Sequence, residues 1–223
     1  MSEAAASPHA SAPPNAGALR WLAIQNDLVS GLAHALSNRV ATIDAAAYML
    51  QFDSTDIPAQ ATILHGEAGR LETLVLALRS LPARRQAEAE PVLVADVVKE
   101  ALAVHEHHDD LRGIPCETSI DPDVPPVHVD PIALQHALLV ALTAARTAAG
   151  STGVATLDVR AGGDMVQFTA SARGAPGVAP DGGESDAAAI SWLLHPHGGE
   201  SDALPDGCAF RVRTLEAARR AGR

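Results

Sequence analysis

The sequence is poor in several residue types, and each scarcity excludes a class of function. Among 223 residues only Cys116 and Cys208 are cysteines, which excludes a disulfide framework and a zinc site built from cysteines. The six aromatic residues are too few for a base-stacking surface, so nucleic acid is not expected as a partner. Acidic residues outnumber basic ones by 27 to 16, and a net charge of −11 disfavours duplex DNA and anionic membranes.

Targeting and membrane-spanning segments are also missing from the pattern. The first 17 residues contain neither a basic start nor an apolar stretch, so they do not form a signal peptide. The longest uncharged apolar run, Ile132 to Ala145, is too short to span a bilayer and contains Gln135 and His136. We therefore predict a cytoplasmic protein with no membrane partner, in which residues 1–17 form a disordered tail.

The first third of the chain has the pattern of a helical hairpin. Apolar residues at steps of three and four predict one helix from Leu19 to Gln51 and a second from Pro58 or Ala59 to Leu81. The residues between them favour a turn, so 18–86 form an antiparallel hairpin. Its apolar faces are too wide for one hairpin to bury, which predicts a homodimer with a four-helix bundle. The stripes comprise Val29, Leu32, Leu36, Val40, Ile43, Ala47 and Leu50, then Leu64, Leu71, Leu74, Val75, Leu78 and Leu81.

The remaining chain alternates helical and strand patterns. A polar linker over Pro82–Pro91 leads into residues 91–215, and 216–223 form a second tail. The interleaved order predicts an α/β sandwich with helices on one face of a mixed sheet, so the fold class of the whole chain is α+β. The expected helices are Val94–Arg112, Pro131–Ala148 and Asp186–Leu194, and the expected strands are Ile114–Ile120, a short VHVD, Val154–Ala161, Met165–Ala172 and Cys208–Thr214.

Several segments, taken in order, resemble the motifs of bacterial sensor histidine kinases. GLAHALSNRV at Gly31–Val40 is similar to the H-box around the phosphoacceptor histidine. DPDVPPVHVDPIALQ and the following Leu134–Leu139 resemble the approach to the N-box and the helix that carries it. Val166–Gly177 resembles the G1 box, and Ile190–Gly199 resembles the turn after the G2 box. The resemblance covers roughly residues 20–215 and implies a dimerisation hairpin followed by an ATPase-like domain.

The positions that would bind ATP depart from that pattern. Ala144 and Val140 replace the asparagines of the N-box, and Ala172 replaces the G1 aspartate that contacts adenine. Ala187–Ala189 replaces G2 glycines. Alanine and valine side chains offer no oxygen to magnesium, so the resemblance implies a degenerate ATPase-like domain that needs no cofactor of its own.

The pattern also resembles histidine phosphotransferases of multi-step phosphorelays, which keep both domains without binding nucleotide. The resemblance implies that His34 carries a phosphoryl group between receiver-domain aspartates of response regulators, with the magnesium ion on the receiver. Asn38 lies one turn further on, within reach of a phosphoryl oxygen, and Arg39 is a candidate contact for an acidic partner. Ala35 stands where kinases of this family usually carry an acidic proton acceptor.

Helical geometry separates His34 from the predicted core. It lies roughly 160° to 200° around the helix from the centre of the apolar stripe, among small or polar neighbours, so we expect it to face outward. Three other readings stay open: a surface histidine without a role, a pseudokinase scaffold, and a divergent active kinase. The run HEHHDD at His105–Asp110 lacks the spacing of metal ligands and is interpreted as a solvated helix end.

Overall fold

The computed structural model describes residues 16–52, 57–82, 88–174 and 183–222. Two long helices, α1 (Ala16–Phe52) and α2 (Ile57–Ser80), lie against each other as the predicted hairpin. The predicted tail up to residue 15, the turn at 53–56, the centre of the linker and most of the loop after Arg173 lie outside the described residues. Helix α1 begins within the segment predicted as tail, at Ala16.

The second region is an α/β sandwich, as the sequence predicts. A mixed sheet has helices packed on one of its faces. Its elements are β1 (Glu90–Val92), α3 (Val94–His105), β2 (Cys116–Ile120), β3 (Val127–Val129), α4 (Pro131–Ala149), β4 (Val154–Gly162), β5 (Met165–Arg173), α5 (Gly183–Leu194), a 3-10 turn (His195–His197), β6 (Glu200–Leu204), β7 (Gly207–Arg213) and α6 (Leu215–Ala221).

The main sheet has five strands in the order β2-β4-β5-β7-β6, and β2 and β4 are its parallel pair. A two-residue turn at Gly163 and Asp164 joins β4 to β5, and Gly163 has the positive φ of 64° that such a turn requires. Alternate residues of the strands face the helices and are buried. Phe168 of β5 and Phe210 of β7 are cross-strand partners whose rings stack 4.6 Å apart.

Helix α4 is the core of this domain. It lies on β4 and β5 between α3 and α5, so every residue from Ala133 to Arg146 is buried. Asp130 caps its first turn by accepting a hydrogen bond from the backbone N–H of Ile132. Among the described helices only α4 is long and apolar enough to cross a membrane by length and composition, and 83% of its apolar window is buried inside the fold.

Several predicted boundaries are wrong. Helix α3 ends at His105 instead of Arg112, because the chain turns there to pass beneath α1. Residues 200–204 form an edge strand that the sequence analysis misses, since Glu200 and Asp202 break its apolar pattern. Part of the predicted linker pairs with β3 as β1, and most of the predicted second tail forms α6, capped by Thr214.

The apolar face of α1 also differs from the prediction. Its N-terminal half packs against α4 and α5, and the side chains that become fully buried there are Trp21, Ile24, Leu28 and Leu32. Val29, Val40 and Ala47 of the predicted stripe are exposed in the single chain. The stripe is therefore divided: one flank packs within the chain, whereas the other is uncovered.

Candidate functional site

His34 lies on the exposed side of α1, as its helical position predicts. Asn38, one turn further along, is also exposed. Arg39 is half-buried and points toward α2, where its guanidinium donates to Glu67 Oε2 at 3.4 Å. His34 and Asn38 thus lie on one accessible face of α1, whereas Arg39 is hydrogen-bonded to α2 inside the hairpin.

Glu67 explains the direction of Arg39. Its side chain is 5% exposed between the two helices, and Arg70 also donates a hydrogen bond to its carboxylate. A buried carboxylate is costly unless charged donors satisfy it, and these two arginines do so. Because 41% of the Arg39 side chain remains exposed, its outer part stays accessible near the His34 face.

The loop after α3 approaches α1 one turn before His34. A Cβ built on Gly31 would overlap the carbonyl oxygen of His107, and it would lie 3.3 Å from the backbone nitrogen of Asp109. Only glycine permits this approach, which gives a packing reason for a glycine in the middle of a helix. On the adjacent position of α1, the Ser30 hydroxyl donates to Asp109 Oδ2 at 3.3 Å.

The interpretation of HEHHDD as a solvated helix end is wrong for two of its histidines. His105 is fully buried and His108 is 3% exposed, and their rings stack 5.3 Å apart. Burial is the main cause that lowers the pKa of both. These histidines are buried because the chain leaves α3 at His105 and is then covered by α1.

A hydrogen-bond network fixes the start of this loop to α4. Arg146, which is 1% exposed, donates to His105 Nδ1 at 3.0 Å and to Glu106 Oε1 at 2.5 Å. The other ring nitrogen of His105 therefore carries the proton and donates to Thr143 Oγ1 at 3.0 Å. The Thr143 hydroxyl in turn donates to the carbonyl of Leu139. The start of the loop below His34 is thus held to α4 by buried hydrogen bonds. Arg146 Nε and both ring nitrogens of His108 are buried without a partner among the described residues.

The positions at which the sequence departs from the ATP-binding motifs lie in α4, β5 and α5. Ala144 is 1% exposed inside the domain, and the adjacent Thr143 hydroxyl is already engaged. Ala172 lies within β5 and uses its backbone N–H to bond Asp206. Ala187–Ala189 belongs to helix α5, and the Ala187 carbonyl accepts from Ser201. The described residues also include no group of three potential metal ligands.

Helix α1 covers the part of α5 that contains Ala187–Ala189. The backbone of Ala188 lies so close to α1 that only glycine fits at position 17. Arg20 forms an ion pair of 2.5 Å with Asp186, which is 1% exposed. Trp21 stacks 4.1 Å from His136 of α4. These three contacts were not predicted from the sequence; the glycines inside α1 were the signal that its helix face is closely packed.

Comparisons with known proteins identify similar folds. No protein-family model and no curated protein matches the sequence. The solved structure of full-length ShkA in complex with AMPPNP aligns with 85% of this chain at 17% identity and a TM-score of 0.46, and this chain spans 46% of its length. Histidine kinase ThkA in complex with response regulator protein TrrA aligns with 86% at 17% identity and a TM-score of 0.45, with 62% of its chain covered. A bacterial phosphotransferase aligns with 86% at 14% identity and a TM-score of 0.43, with 96% of its chain covered.

The chain is similar to these solved structures in fold, and its own elements give the order of a helical hairpin followed by an α/β domain. This likeness concerns the fold, and the interpretation of function depends on the residues of the chain itself.

Proposed function

We propose that this chain is a dimeric histidine phosphotransferase that passes a phosphoryl group between receiver-domain aspartates through His34. The observation that carries the proposal is the combination of an exposed histidine on the outer face of α1 with a neighbouring domain whose ATP-ligand positions are alanines. Such a chain can accept and return a phosphoryl group but lacks the side chains to take one from ATP.

The chemistry suits an exposed imidazole. A neutral ring nitrogen of His34 forms a P–N bond while the P–O bond to the receiver aspartate breaks, and the electron pair of that bond returns to the aspartate carboxylate. The proton on the other ring nitrogen stays in place, so the ring becomes cationic as it attacks. Phosphoryl transfer depends mainly on positioning and charge neutralisation, and the receiver's magnesium ion supplies much of the latter.

The uncovered apolar flank of the hairpin supports dimerisation. Val40 is 56% exposed, Ile57 is 53% exposed and Val75 is 45% exposed, although the opposite flank of the hairpin is well packed. Helical spacing places Val40 near Ala47 on α1, and Val75 near Leu71 on α2. Association with a second hairpin would bury these side chains in a four-helix bundle.

The experiment compares two phosphoryl sources. The full chain is incubated with ATP and magnesium alone, and separately with a panel of receiver domains phosphorylated by acetyl phosphate. We expect acid-labile phosphate from at least one receiver and none from ATP. His34→Gln should abolish the label, whereas His65→Gln, which changes an exposed histidine of α2, should keep it.

Each alternative outcome identifies a different function. Label from ATP alone would show an active kinase and overturn the interpretation of Ala144 and Ala172. Binding of receivers without transfer would instead indicate a scaffold. A His34→Gln variant that still takes label would show that the phosphoacceptor is another residue. A monomer by light scattering at micromolar concentration would contradict the dimer.

A further inference from the structure

The Asp109 carboxylate reaches the His34 face of α1 from the α/β domain. Asp109 lies in the loop after α3, where its backbone approaches Gly31 and its side chain accepts a hydrogen bond from Ser30. Gly31 and Ser30 precede His34 by three and four residues, which are the spacings of neighbours on one helix face. The side chains of Asp109 and His34 are both exposed, so a receiver bound at His34 would also meet this loop.

The tilt of helical side chains directs His34 toward the same place. In an α-helix the Cα–Cβ bond points to the N-terminus, so a side chain covers the turn that precedes its own Cα. For His34 this is the turn of Ser30 and Gly31, on which the loop rests. The residue directly after His34 is Ala35, which has no acidic group to offer.

We propose that Asp109 is a positioning residue for His34, supplied from the α/β domain; this inference rests on the proposed phosphotransferase function. Ser30 donates to one carboxylate oxygen of Asp109, Oδ2. In the proposed arrangement the other oxygen, Oδ1, accepts the N–H of the His34 ring. That hydrogen bond fixes the proton on the ring nitrogen that faces Asp109. The other ring nitrogen then has a free lone pair, which points outward toward the receiver. The same negative charge stabilises the cationic ring that forms when the P–N bond is made and the P–O bond to the receiver is broken.

Buried hydrogen bonds below the loop connect its start to α4. Arg146 ties both His105 and Glu106 to α4, and His108 is buried beside them. The loop therefore presents Asp109 from a fixed base while the docked α1 presents His34. The proposal also gives the α/β domain a role in transfer that needs no nucleotide.

The test uses Asp109→Ala, with Asp110→Ala as the matched control in the same exposed loop. Single-turnover transfer from a receiver domain phosphorylated by acetyl phosphate is measured over a range of receiver concentrations. We expect Asp109→Ala to lower the saturating rate by about tenfold or more, with little change in the half-saturating concentration. Asp109→Glu should recover part of the rate, and Asp110→Ala should match the unchanged chain.

A second readout is independent of transfer. The ¹⁵N chemical shifts of the His34 ring, measured at pH 8, report which nitrogen carries the proton. We expect one dominant tautomer in the unchanged chain and in Asp110→Ala, and a mixture in Asp109→Ala. An unchanged saturating rate in Asp109→Ala, an equal loss in Asp110→Ala, or identical tautomer populations in all three proteins would overturn the inference. If no receiver labels the unchanged chain, the proposed function fails, and the tautomer measurement still decides whether Asp109 contacts His34.

Discussion

His136 should make the stability of the protein depend on pH. Its ring is 1% exposed, stacks on Trp21, and donates from Nε2 to the backbone carbonyl of Ser80 at 2.8 Å. His136 therefore joins α4 to the start of α1 and to the end of α2. Burial lowers the pKa of His136 from 6.5 to about 4, outweighing the opposing effects of the Ser80 carbonyl and of Asp130.

The sign follows from proton binding. Below pH 6.5 the unfolded chain binds a proton at His136, whereas the folded chain does not until the pH approaches 4. The native state is thus fully favoured above pH 6.5 and loses stability as the pH falls toward 4. Linkage gives a loss of about 2 kcal/mol between pH 7.5 and pH 5 from this ring alone.

The assay is urea unfolding at pH 7.5 and pH 5, at one protein concentration, for the unchanged chain and His136→Gln. Glutamine can still donate a hydrogen bond to Ser80 but does not titrate. Other buried histidines, among them His105 and His108, have lowered pKa values that both proteins share. The unchanged chain should therefore lose about 2 kcal/mol more than the variant. Equal losses in both proteins would refute the reasoning.

Three further substitutions test how α1 packs on the α/β domain. Gly31→Ala should destabilise the fold by about 1–3 kcal/mol in thermal unfolding. The control Gly66→Ala, at a helical site with open space around it, should stabilise the fold slightly. Equal effects of the two substitutions would contradict the close approach of the His107 carbonyl to Gly31. Trp21→Ala should cost about 3–5 kcal/mol in urea unfolding, because the indole is fully buried, and a loss below 1 kcal/mol would contradict that burial. Arg20→Ala should lower the melting temperature, because it leaves the buried Asp186 carboxylate unpaired. Adding Asp186→Asn should restore part of the lost melting temperature. If it restores none, the broken ion pair is not the cause of the destabilisation.

Strong local patterns made much of the architecture predictable. The turn between β4 and β5 needs a positive φ, and Gly163 supplies it, so the hairpin was recognisable from its residues. Helix α4 has an N-cap aspartate, a proline at its first position and a glycine after its last, which marks both ends. The exposure of His34 followed from helical spacing alone, because 100° per residue separates it from the apolar stripe.

Elements that depend on contacts distant in sequence could not be predicted in the same way. Edge strand β6 carries acidic residues, and only its pairing with β7 makes it a strand. Helix α3 ends at His105 because the chain must pass under α1 at Gly31, a contact between residues more than seventy positions apart. The polar run HEHHDD predicts solvent exposure, but α1 packs over it and buries His105 and His108.

The sequence by itself determined the helical hairpin, the mixed α/β sheet and the outward position of His34, because each depends on backbone preferences and on the period of apolar residues. Only the tertiary structure decided which flank of α1 is buried, where Arg39 points, and that Asp109 reaches the turn before His34. Those features arise from the packing of two domains, and the free energy of such packing comes from surfaces that no local window of sequence contains.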